Sequence, residues 1–124
     1  MAYPILAPSY TWYKSDTLRS TITEIHIVDS YILTGTESEI WNADVEDTGA
    51  IKCYIDGTIL TIAGNGSGKI ALSEDSSYLF SCPISSIDEK LKLFINCTLI
   101  TGLALLDTSK AKNLSRMFAY CISI

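Results

Sequence analysis

The chain has 124 residues, 48% of them apolar, only three prolines and a formal net charge of −5. This length fits one domain, or one small domain with a short appended element, and its apolar content excludes a disordered chain. The negative charge disfavours direct nucleic-acid binding, which needs Lys and Arg to displace phosphate counterions, and adsorption to anionic membranes.

The first residues read MAYPILAPSYTWYK. They lack a basic n-region, and Pro4 and Pro8 interrupt any apolar h-region, so no signal peptide is expected. No stretch approaches the ~18 apolar residues of a membrane span. Synthesis and folding in a cytoplasm are expected, with Cys53, Cys82, Cys97 and Cys121 as reduced thiols. Four cysteines allow three pairings, and their spacing selects none. With no C-x-x-C and His26 as the only histidine, no zinc site is expected.

Residues 1–36 read as an N-terminal arm followed by a first strand, the β-rich TITEIHIV of 21–28. Residues 37–72 read as a β meander. Within it, EIWNADV (39–45) suits a strand or a helical turn. Ile51 to Ile55 and Thr58 to Ala63 are β runs joined at Asp56-Gly57, a hairpin signal because a type I′ turn needs φ > 0 at both central positions. A turn at Glu46-Asp47-Thr48-Gly49 precedes it.

Residues 73–124 carry an internal repeat. Leu93-Phe94-x-x-Cys97 recurs 24 residues later as Met117-Phe118-x-x-Cys121, an offset typical of stacked units that cannot bury an apolar face alone. Ser86-x-x-Glu89 is a capping-box pattern that predicts a short helix over 88–96. LITGLALL (99–106) suits a buried strand, and 110–121 a second helix or 3-10 segment. Phe94, Cys97, Leu103, Leu106, Met117, Phe118 and Cys121 are the expected rungs of the ladder.

The string GLALLDTSKAKNLSRMFAYC resembles the DTS…M(F)…C repeat of BspA-like leucine-rich-repeat proteins of bacterial surfaces and phage virions. The matching positions are Gly102, Leu103, Leu106, Asp107, Thr108, Ser109, Asn113, Leu114, Met117, Phe118 and Cys121. Upstream, Trp41 and IKCYIDGTILTIAGNGSG look like the β-rich segment that often precedes such repeats, so the likeness runs over 39–121. Family members carry many repeats, whereas this chain carries about one and a half, with no capping repeat after Cys121. Solenoid ends need a cap, so either the chain is truncated or its open end is covered by another subunit or partner.

Several tempting chemistries fail on spacing. AGNGSGKI has Ala63 and Ile70 where a P-loop needs Gly and a hydroxyl. His26 sits between Ile25 and Ile27 on a strand and reads as a half-exposed strand position. Glu37, Glu39, Asp44, Glu46 and Asp47 form an acidic cluster without a calcium-loop pattern, and they read as a solvated face. No cofactor is implied.

Exposed aromatics remain as binding candidates: Tyr10, Trp12, Tyr13 and Tyr31, with Trp41 assigned to the core. The expected fold class is mainly β (α+β), an antiparallel meander followed by a short leucine-rich-repeat-like strand and helix element. The resemblance implies a non-enzymatic binding or structural module, a phage virion (tail or surface) protein or a bacterial surface recognition protein. Its partners would be a protein or cell-surface ligand, with self-association or an assembly partner. The alternative is a small acidic phage-encoded inhibitor of a host defence protein, anti-CRISPR-like, that uses its carboxylates to block a basic groove.

Overall fold

A computed structural model describes residues 3–80, 94 and 96–114. Among them the chain is mainly β, with short 3-10 turns and no α-helix. The strands are β1 (Glu24–Val28), β2 (Glu39–Asn42), β3 (Lys52–Asp56), β4 (Ile59–Ala63), β5 (Ile70–Ala71), β6 (Leu99–Thr101) and β7 (Leu106–Asp107).

Five of them form a mixed sheet in the order β2-β3-β4-β1-β6. β2 and β3, and β3 and β4, pair antiparallel, whereas β1 pairs parallel with both β4 and β6. The first strand in sequence therefore lies inside the sheet, between strands from the middle and the end of the described chain. β5 and β7 form a second, parallel pair, with Ile70 opposite Leu106 and Ala71 opposite Asp107. The N-terminal segment extends this pair, since Leu6 N–H donates to Ala71 O (2.9 Å) and Ala71 N–H to Pro4 O (2.8 Å).

Strand periodicity decides which face is buried. Ile25 and Ile27 of β1, Cys53 and Ile55 of β3, and Leu60 and Ile62 of β4 fill the inner face. The opposite face carries Glu24 and His26, Lys52 and Tyr54, and Thr61. Residues 3–22 do not form a free arm. Leu6, Ala7, Trp12, Tyr13 and Ile22 are all buried in the same core.

Trp12 is the centre of that core. It is fully buried, lies parallel to Phe94 and packs edge-on to Tyr13 and Phe80. Its indole N–H would be costly to bury unpaired, and it donates to Leu79 O at 2.6 Å.

Several expectations change. The two-residue turn between β3 and β4 is Gly57-Thr58, one position later than Asp56-Gly57, because Asp56 already pairs with Ile59. Only Gly57 takes a positive φ (+65°), the pattern of a type II′ rather than a type I′ turn.

The apolar run 99–106 is not one buried strand. Gly102 breaks it with φ +83°, and a 3-10 turn at Leu103–Leu105 separates β6 from β7. Leu99 and Leu103 are consequently exposed. A Cβ on Gly102 would lie 2.0 Å from Ile27 O, so the close approach of this bend to β1 requires glycine.

Residues 110–114 form a turn and a bridge, Asp75 to Asn113, rather than the start of a helix. The predicted 88–96 helix falls outside the described residues except at Phe94 and Asn96, as does the remainder of the 110–121 segment.

Candidate protein-binding surface

Four aromatics are candidates for partner contact, and the structure separates them. Trp12 and Tyr13 are buried and leave the surface. Both had looked exposed because a Ser/Thr/Tyr-rich segment carries no periodicity to announce a core. Tyr13 is held by its hydroxyl, which donates to Thr17 O (2.6 Å), and by the Arg19 guanidinium 4.5 Å from its ring centroid. Burial raises its phenol pKa against the lowering hydrogen bond with Ser15. Trp41 packs against the core and donates its indole N–H to Trp12 O (2.8 Å). Tyr10 and Tyr31 remain exposed.

Tyr31 opens an apolar surface that the sequence did not reveal. The connection from β1 to β2 must cross β4 and β3 to reach the sheet edge, and it does so over the outer face. It is tied down at two levels of β3. The Lys52 ammonium lies 5.9 Å from the Tyr31 ring centroid, and the Thr36 hydroxyl donates to Asp56 Oδ2 at 2.7 Å. Between the ties the chain turns at Thr34-Gly35, which the Glu37 carboxylate holds by accepting from Thr34 N (3.0 Å), Thr34 Oγ1 (2.7 Å) and Gly35 N (3.0 Å). The Thr34 bonds lower the Glu37 pKa.

Tyr54 of β3 is only 9% exposed although it points away from the core. Tyr31, Ile32 and Leu33 stand outward at 44%, 77% and 41% exposure. Ile40 of β2, opposite Tyr54 in the ladder, is 48% exposed. A loop with this many internal bonds presents its apolar side chains at little ordering cost on binding.

The acidic residues do not form one solvated cluster. Asp44 is buried, and its carboxylate accepts from Thr48 N (2.8 Å), Thr48 Oγ1 (2.7 Å) and Gly49 N (3.0 Å). Burial alone would raise its pKa, but these hydrogen bonds together hold it below the usual value. Glu39 accepts from the hydroxyls of Ser15 (2.5 Å) and Thr17, which lower its pKa. Asp47 pairs with Lys14 at 3.6 Å. Among the described residues no group of three His, Cys, Asp or Glu side chains is placed to hold a metal ion.

The remaining candidates lie apart. Phe94, Cys97 and Leu106 are buried, Leu103 is exposed, and Met117, Phe118 and Cys121 lie outside the described residues. Full burial raises the Cys53 thiol pKa well above its ordinary value, and burial raises that of Cys97. His26 Nε2 lies 3.1 Å from Glu24 Oε1 on the outer sheet face.

Two open clefts of about 270 and 530 Å³ flank Ile5 and Val45. The only carboxylate in the first that is not at the surface, Asp44, is already bonded to its own loop. No described helix is long and apolar enough to cross a membrane.

Compared with known proteins, the chain matches no family model, no curated protein and no solved structure.

Proposed function

We propose that this chain is a non-enzymatic protein-binding module of a phage virion or a bacterial surface, and that Tyr31, Ile32, Leu33 and Ile40 form its recognition surface. One observation carries the reading: three consecutive apolar side chains stand outward on a loop anchored to β3 at both ends. Soluble chains rarely organise exposed apolar residues this way unless a partner covers them. The DTS…MF…C sequence supplies the virion or surface context.

The acidic-inhibitor alternative draws less support. Glu37, Glu39 and Asp44 spend their oxygens on their own chain, so they do not present a phosphate-like row.

The test is adsorption of fluorescently labelled protein to a panel of bacterial cells. Saturable adsorption that Ile32→Asp abolishes while the fold is retained is the expected result. Equal adsorption by wild type and variant, or none by either, overturns the proposal.

A further inference from the structure

The outer sheet face sets apolar groups and carboxylates side by side. The strand register places Asp56, Ile59, Glu24 and Leu99 in one row across β3, β4, β1 and β6. Strand alternation turns all four outward. Asp56 and Leu99 are exposed, and Ile59 and Glu24 are partly buried.

The Tyr31–Leu33 loop crosses this same face. It is tied to that row at Asp56, whose Oδ2 accepts from the Thr36 hydroxyl, and Glu37 follows one residue later. Accepting a hydrogen bond fixes where a carboxylate stands and leaves its charge in place.

Little on the face offsets these charges. Lys52 is the only lysine or arginine among the residues of β1, β2, β3, β4 and β6. Its ammonium already donates to Asn42 Oδ1 (3.0 Å) beside the Tyr31 ring. The imbalance runs along the sequence as well. Residues 1–63 hold nine Asp and Glu against three Lys and Arg, whereas residues 64–124 hold five against six. The negative charge of the chain therefore belongs to the part that builds β1 to β4.

We infer that the partner is a cationic protein segment, in which apolar side chains that cover Ile32, Leu33 and Ile40 are flanked by lysine or arginine facing Asp56, Glu24 and Glu37. Charge complementarity selects this occupant. A nucleic acid, an acidic glycan or an anionic bilayer would be repelled by the same carboxylates. The inference rests on the reading of the Tyr31–Leu33 loop as a recognition surface, and it names the chemistry of what that surface takes.

Exposed ion pairs add little to final affinity, and their larger effect is on the rate of encounter. Association should therefore slow by at least about tenfold between about 20 and 500 mM salt.

The test selects peptides from a random display library on the immobilised full chain. The expected peptides combine aromatic or aliphatic residues with Lys or Arg and lose binding to Ile32→Asp. They should bind a Glu24→Gln, Asp56→Asn double variant about fivefold more weakly at about 20 mM salt, with the gap closing near 500 mM. Both amides keep the side-chain shape and an acceptor oxygen, so the bond from Thr36 survives, and a circular dichroism melt checks the fold.

Peptides that need Ile32 but are neutral or acidic overturn the cationic partner alone, as does binding indifferent to salt and to the double variant. Peptides that bind Ile32→Asp as well as wild type overturn the surface reading with it. A selection that enriches nothing overturns this inference, and adsorption to cells then decides the surface reading separately.

Discussion

Trp12 and Phe94 lie ring against ring, 6.2 Å between centroids and 7° from parallel, although one comes from the N-terminal segment and the other from the last third of the chain. This stack joins residues 3–22 to the C-terminal region through the core. Removing the indole deletes a large buried side chain and leaves Leu79 O without its donor. Trp12→Ala should cost about 3–5 kcal/mol, read as a lowered midpoint in urea denaturation. A loss under about 1 kcal/mol would show that the stack does not organise the core.

Gly102 should be irreplaceable. Alanine there meets both a positive φ and a Cβ 2.0 Å from Ile27 O. We expect Gly102→Ala to destabilise by about 3 kcal/mol, combining left-handed strain with overlap against backbone that cannot swing aside. Gly35 has the same sign of φ but open space around it, so Gly35→Ala should cost only the strain, about 1 kcal/mol. Equal losses for the two variants in a thermal melt would falsify the close approach at Ile27.

Asp44 links loop conformation to pH. Its folded pKa is lowered, so its contribution is complete above the unfolded value near 3.9 and fades as pH falls through the folded one. Glu39 acts in the same direction. Stability should therefore drop between about pH 5 and the folded pKa of Asp44. Asp44→Asn keeps the shape of the side chain and should flatten that part of the profile, measured as urea midpoints across pH. A variant profile as steep as the wild type's would place the acid sensitivity elsewhere.

Cys53 should resist alkylation in the folded chain. It is fully buried and its thiolate is strongly disfavoured. Iodoacetamide labelling followed by peptide mass mapping should find Cys53 unmodified under native conditions and modified in denaturant. Rapid native labelling would mean that the β3–β4 region opens readily.

How much was legible in the sequence depends on whether a local rule decided the outcome. TITEIHIV alternates, and β1 forms where the alternation is cleanest, at Glu24–Val28. The Asp-Gly signal located the β3–β4 reversal to within one residue, but the register of Asp56 against Ile59 moved the turn. LITGLALL looked continuous because its residues are apolar. A single glycine divided it, and only the nearness of Ile27 O explains why.

Trp12 and Tyr13 read as surface aromatics in the sequence because their burial comes from contacts with distant residues such as Phe80 and Phe94. Of the candidate contact residues, Tyr31 was visible as an aromatic in a loop. Ile32 and Leu33 were not, because in the run Tyr31-Ile32-Leu33 nothing local tells an outward residue from a core one, and Ile40 stands beside Trp41 with nothing local to say which of the two faces the core. Their exposure follows from the path of the connection over β3.

The position of β1 also bears on how the chain reaches its folded state. β1 leaves the ribosome before either of its neighbours, residues 59–63 and 99–101. No hairpin can shelter it in the meantime, and both of its sides stay unsatisfied until chain far downstream has been made. Such long-range parallel closure is slow. A nascent chain halted before residue 99 would hold β1 against β4 with its other side bare, a sticky intermediate that a chaperone has reason to shield.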